Sequence, residues 1–175
     1  HHPNGLIYSA PQHAYRGYTL TTNNRGYDAN LLDMEGRIVH RWHSDEGIGY
    51  AYLLPYGNLL VRTEPPEDAN GAETIGASAA AILELDWDGN VVWEYRDKYI
   101  HHDYERLVNG NTLVMMFELL SPEFTAKVKG GTPSDDDPPQ MFSDVVREIA
   151  PNGSVVYEWK AWEHLDPEQD AICPL

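Results

Sequence analysis

Apolar and polar residues alternate along this chain in short runs, and the runs are punctuated by glycine. "LLDMEGRIVHRW" (Leu31 to Trp42), "ELDWDGNVVWEY" (Glu84 to Tyr95) and "EIAPNGSVVYEW" (Glu148 to Trp159) align without gaps. Each reads as an apolar strand, a two-residue turn ending in Gly, then a strand with a β-branched residue and a closing aromatic. The turn glycines are Gly36, Gly89 and Gly153. Glycine after Asp, Asn or Glu accepts the positive φ that a tight hairpin needs, so each segment predicts a β-hairpin.

The match continues downstream, where "LLPYGNLLV" (Leu53 to Val61) lines up with "RLVNGNTLV" (Arg106 to Val114). Gly57 follows Gly36 at the same offset as Gly110 follows Gly89. A unit is therefore two successive hairpins, or four short antiparallel strands. Four-stranded units recurring at such a period are the sequence sign of a β-propeller blade, with a β-sandwich of similar hairpins as the alternative. The expected fold is all-β: a propeller of four-stranded antiparallel blades, six in the complete assembly, of which this chain supplies about three. The units fall at about 18–62, 80–117 and 143–175. Helix has little support apart from a turn near Trp162 to Gln169.

Three blades do not close a ring, since propellers use about 4–8. The third unit also lacks a second hairpin. A second polypeptide, another chain or a fragment of a cleaved precursor, is expected to complete the domain. Two long insertions, "TEPPEDANGAETIGASAA" (Thr63 to Ala80) and "LLSPEFTAKVKGGTPSDDDPPQMF" (Leu120 to Phe142), read as loops between one unit's fourth strand and the next unit's first. "SDDDPP" in the second offers acids for a calcium ion but lacks the alternating spacing of a calcium loop.

Composition narrows the partners. A net charge of −16 leaves no basic cluster to neutralise phosphates, which argues against nucleic acid and against an anionic membrane surface. No apolar run is long enough to span a bilayer. The sequence opens "HHPNGLIYSAPQ", with neither a basic nor an apolar leader region. Cys173 has no partner cysteine within the chain and can pair only with a second chain. Strong acidity suits a salty or extracellular setting, and a periplasmic or secreted location is the expectation. The 11 Tyr and 5 Trp suit half-buried sheets and the walls of sites for small aromatic ligands.

One stretch carries candidate chemistry. In "YIHHDYERLVNGNTLVMM", His101, His102 and Asp103 stand where an inner strand is expected to meet the central channel. The same slot of the preceding unit holds Gly49 and Tyr50, so the blade geometry does not require histidine there. Strand alternation sends His101 and His102 to opposite faces, so only one is expected to enter the channel. Asp103 is the neighbouring carboxylate that could orient an imidazole as nucleophile or general base. Arg62 and Arg106 are candidate anion binders, and Tyr50 and Tyr104 are candidate stacking surfaces. If a divalent metal is bound, His101, His102 and His164 are the ligands available; otherwise no cofactor is expected. His13, His40 and His43 carry no further context. No phosphate-binding loop, serine nucleophile elbow or HExxH pair is present.

"ANLLDMEGRIVHRW", "ILELDWDGNVVWEY", "HHDYERLVNGNTLVM" and "WEHLDPEQDAICPL" together resemble the bacterial arylsulfotransferase-like β-propeller family, over Tyr18 to Leu175. The resemblance implies a six-bladed propeller that moves a sulfuryl group from an aryl sulfate to a phenol without a nucleotide, through a transiently sulfated channel histidine. The positions it reaches here are His101, His102 and Asp103, and the remaining sulfate ligands would come from later blades, as if this chain were an N-terminal half. Two rivals stay open on the residues alone. One is a metal-dependent hydrolase or lyase on the same scaffold, and the other a non-catalytic propeller gripping aromatic or sugar ligands.

Overall fold

The computed structural model describes residues 8, 10, 12–66, 69, 76–129 and 140–170. The "SDDDPP" stretch, Cys173, His1 and His2 lie outside the described residues. Eleven strands are described: β1 (Thr19–Thr22), β2 (Asp28–Leu32), β3 (Ile38–His43), β4 (Tyr50–Leu53), β5 (Leu59–Arg62), β6 (Ala81–Leu85), β7 (Val91–Arg96), β8 (Ile100–Arg106), β9 (Thr112–Leu119), β10 (Phe142–Ile149) and β11 (Val155–Lys160). They form three open antiparallel sheets, ordered β1-β2-β3, β4-β5-β6-β7 and β8-β9-β10-β11. Among the described residues the helical content is one turn, α1 (Pro122–Thr125), and a 3-10 turn at Ala161–His164. No described helix is long and apolar enough to cross a membrane.

All five glycine-centred hairpins close by one device. Gly36, Gly57, Gly89, Gly110 and Gly153 have φ between 76° and 98°. Each donates its N–H to the carbonyl three residues back, and that earlier residue's N–H bonds to the carbonyl following the glycine. In the first hairpin these are Gly36 to Asp33 and Asp33 to Arg37, both 3.0 Å. The turn is thus a three-residue loop with a bulge at the glycine, one residue longer than the two-residue turn read from the sequence. The register shifts at Leu31/Leu32, Glu84/Leu85 and Glu148/Ile149 record that extra residue at one place in each repeat.

The sheets frame the repeat one hairpin later than expected. Each four-stranded sheet joins the second hairpin of one sequence unit to the first hairpin of the next. The insertions at 63–80 and 120–141 therefore run between paired neighbours, β5 with β6 and β9 with β10, instead of between sheets. Loop length is no obstacle, because closure entropy rises only slowly with the number of residues. A repeated side-chain bond marks the equivalence of the two sheets. Asn58 Nδ2 donates to Glu84 Oε1 at 2.7 Å, and Asn111 Nδ2 donates to Glu148 Oε1 at 2.6 Å.

The chain divides into two compact units. The first holds residues up to 68 with 79–97, and the second holds 69–78 with 98–175. In the first unit the face of β1–β3 bearing Ala29, Leu31 and Trp42 packs on Leu59, Val61, Ala81, Leu83 and Leu85 of β4–β7, with Ile48 between. Trp42 is 1 % exposed, and its indole N–H donates to the Asp86 carbonyl at 2.9 Å, so the largest apolar side chain also satisfies its polar atom. In the second unit Val114, Met116, Val145 and Ile149 are buried on one face of β8–β11. The 3-10 turn is tied to β9, where Glu118 accepts from Lys160 Nζ at 2.6 Å and from the Trp162 indole at 2.7 Å.

Candidate functional site

The second unit contains the histidine pair, on β8. Ile100 pairs with Met116 and Tyr104 with Val114, so His101, His102 and Asp103 together face the single residue Met115. Two extra residues are accommodated in a bulge. Nothing in "YIHHDYER" announces it, since the stretch holds neither Gly nor Pro.

The bulge is held by a second strained segment. His102 adopts φ +50° and Ala77 φ +61°, both in the left-handed region that residues with a Cβ avoid. His102 N–H donates to the Ala77 carbonyl at 2.9 Å, and Ser78 bridges to His101. Below the bulge the ladder resumes with Phe117 N–H donating to Tyr99. Such a conformation costs of order 1–3 kcal/mol per residue and persists only where its surroundings enforce it. Gly49, in the same slot of the preceding repeat, has no positive φ although glycine could adopt one freely. The equivalent slot of the preceding repeat is therefore unstrained.

The bulge overturns the expectation that alternation separates the two rings. His101 Nδ1 and His102 Nδ1 lie 2.9 Å apart, with the rings nearly perpendicular at 85°. His101 is 2 % exposed and stacks on Phe117 at 3.7 Å between centroids. Its Nε2 lies 3.4 Å from Asp144 Oδ1, within ion-pair reach. His102 is exposed, as is Asp103. The pair thus runs from a carboxylate through a buried ring to a ring in solvent.

The carboxylate is not the expected one. Asp103 Oδ1 accepts from Tyr104 N–H at 2.9 Å and so braces the bulge backbone. Asp144 comes from β10, across β9, where it pairs with Phe117. It was not legible in the sequence, because only the order of strands in the sheet brings it to His101. Beside the bulge, Asp103, Tyr104, Glu105, Leu113, Met115 and Val146 line an open, largely apolar depression of about 180 Å³.

The other candidates take different places. Tyr104 is 3 % exposed and is a core side chain of β8 instead of a stacking surface. Arg106 Nη1 donates to the Gly110 carbonyl at 3.0 Å and braces the β8–β9 hairpin. His164 stacks on Trp159, with centroids 5.0 Å apart. In the first unit Tyr50 is 47 % exposed at the start of β4, whereas Arg62 is 8 % exposed at the end of β5. Glu64 Oε1 approaches Gly49 so closely there that a Cβ on that glycine would lie 2.6 Å from it. His40 stacks on Trp87 at 3.9 Å, and His43 sits between Asp28 and Asp45 at 2.8 and 3.2 Å. The hydrogen bond His43 donates to Asp28, then the one it donates to Asp45, holds the imidazole above its ordinary pKa. Among the described residues no three His, Cys, Asp or Glu side chains converge as metal ligands.

No protein-family model matches the sequence, and no curated protein matches it. Among solved structures, the chain matches part of a crystallised protein of unknown function from Bacteroides caccae, at 21 % identity and a TM-score of 0.46. The match covers 82 % of this chain and 42 % of that one, so the chain spans less than half the length of that protein.

Proposed function

We propose that the bulge on β8 is the centre of an arylsulfotransferase-like enzyme, with His102 as nucleophile. The observation that carries this reading is an exposed imidazole held in a left-handed backbone conformation, with its Nδ1 engaged by a buried second imidazole at 2.9 Å. Strain of this kind concentrates where a side chain must be aimed, and an imidazole is nucleophilic near neutral pH.

The chemistry is a double displacement. His102 Nε2 attacks the sulfur of an aryl sulfate, the N–S bond forms, and the aryl S–O bond breaks with its electron pair leaving on the phenolate. A phenolic acceptor then attacks the same sulfur, the N–S bond breaks, and the acceptor's proton passes to solvent. No nucleotide is needed. In this reading the three sheets are part of a six-bladed propeller completed by a second polypeptide, which brings the cationic ligands for the sulfate that an acidic chain does not itself supply. A periplasmic or secreted location fits that acidity. The depression beside Asp103 and Met115 is where an aromatic acceptor would rest.

Intact-mass spectrometry of the native assembly with an aryl sulfate tests this. Gain of one sulfuryl group on His102, absent in His102→Gln, supports the reading. A stoichiometric metal lost in both His101→Ala and His102→Ala would replace it with the metal-dependent hydrolase or lyase.

A further inference from the structure

The three groups Asp144, His101 and His102 leave little freedom in where their protons lie. Two imidazoles joined Nδ1 to Nδ1 at 2.9 Å need one nitrogen to donate and the other to accept. An ionised Asp144 draws positive charge toward it, which favours the His101 proton on Nε2, 3.4 Å from the carboxylate in an ion-pair contact that falls short of hydrogen-bond geometry. His101 Nδ1 is then the acceptor, His102 must carry its proton on Nδ1, and His102 Nε2 is left bare. That nitrogen belongs to the ring in solvent.

We infer that Asp144 is a positioning residue, which acts through His101 to fix the tautomer of His102 and to take up the charge it develops. The inference rests on the reading of His102 as a nucleophile, and it assigns Asp144 and His101 their parts in that reaction. When His102 Nε2 forms its bond to sulfur, the ring becomes an imidazolium whose acidic proton is on Nδ1. That proton passes to His101 Nδ1, leaving a neutral N-sulfo-imidazole. His101 is then protonated on both nitrogens. A buried cation is costly unless it is paired, and Asp144 supplies the pair. When the acceptor removes the sulfuryl group, the electron pair returns to Nε2 and His101 returns the proton to His102 Nδ1. Protons and electrons balance over the cycle without a further reactant.

A bystander role for Asp144 makes a different prediction. Its side chain is 55 % exposed, so replacing it leaves the core of the sheet intact. Nitrogen-15 NMR of the imidazoles in the labelled chain, with His102→Gln to assign the ring, reads the tautomer directly. We expect His102 protonated at Nδ1 and bare at Nε2 in the parent chain. Asp144→Asn keeps an oxygen facing His101 Nε2, and so keeps that pattern. Asp144→Leu removes the carboxylate and moves the His102 proton to Nε2, and carbethoxylation of His102 slows about tenfold, as when a metal-bound histidine loses its outer hydrogen-bond partner. His102 already protonated at Nε2 in the parent, or an unchanged pattern in Asp144→Leu, overturns the relay. The readout needs no substrate. A tautomer switch without any sulfuryl transfer would leave the relay standing and sink the reaction, whereas sulfation of His102 with Asp144→Leu unchanged in tautomer and rate would do the reverse.

Discussion

His101 and His102 are consecutive residues of one strand, yet their Nδ1 atoms lie 2.9 Å apart. In a regular strand they would project to opposite faces. The contact exists because His102 is held at φ +50° within a bulge that sets three residues of β8 against one of β9. Backbone strain has been exchanged for a side-chain pair.

That exchange predicts opposite effects on stability and chemistry. Glycine adopts φ +50° without the Cβ clash, so His102→Gly is expected to stabilise the fold by about 1 kcal/mol while abolishing any covalent adduct. Ala77→Gly relieves the matching strain at φ +61° and should stabilise to a similar degree without removing an imidazole. Urea denaturation of both variants, with the adduct assay alongside, checks the pair. Loss of stability in His102→Gly would mean that the ring contacts outweigh the strain.

The hairpins could be read from the sequence because glycine at the bend is a local signal, and Gly36, Gly57, Gly89, Gly110 and Gly153 all take the positive φ expected of them. The grouping of hairpins into sheets could not, since β5 pairs with β6 across a long insertion. The histidine pair was visible as a departure from the repeat at Gly49 and Tyr50. Its orienting carboxylate was not: Asp103 was adjacent in sequence but is spent on Tyr104 N–H, and Asp144 is brought close only by the order β8-β9-β10.

Trp42 and Trp159 occupy the same repeat position but should differ in weight. Trp42 is 1 % exposed, and its removal would leave both a cavity and the Asp86 carbonyl without its indole donor. Trp42→Ala is expected to cost about 3–5 kcal/mol. Trp159 is 39 % exposed and rests on His164, so Trp159→Ala should cost about 1–2 kcal/mol in the isolated chain. Equal losses by chemical denaturation would contradict the burial seen for the first unit's core.

The paired amides make a second comparison between equivalent positions. Asn58 donates to Glu84, which is 7 % exposed, whereas Asn111 donates to Glu148, which is half-buried. Removing one donor from a buried carboxylate leaves its desolvation less well compensated, while a half-buried one recovers water. Asn58→Ala should therefore cost about 2 kcal/mol and Asn111→Ala about 1 kcal/mol or less. Thermal unfolding of the two single variants decides the order.

The tie between Glu118 and the 3-10 turn gives the fold a pH dependence. Burial disfavours the Glu118 carboxylate, but the hydrogen bonds from Lys160 and Trp162 more than offset this and hold its pKa below the ordinary 4.5. Its contribution is present above that ordinary value and is lost as pH falls through the lower, folded one. Lys160 is raised above 10.5, chiefly by its hydrogen bond to Glu118, so its contribution is complete below 10.5 and is lost as pH rises through the folded value. The brace therefore acts fully between those limits. Glu118→Gln should remove about 1 kcal/mol at neutral pH, a modest figure because both side chains are about a third exposed. It should also flatten the acid limb of a stability–pH profile, measured by urea unfolding from pH 3 to 8. A variant whose acid limb stays as steep as the parent's would place the acid sensitivity on other carboxylates, such as Asp33 or Asp86, whose backbone and side-chain hydrogen bonds also hold them below the usual range.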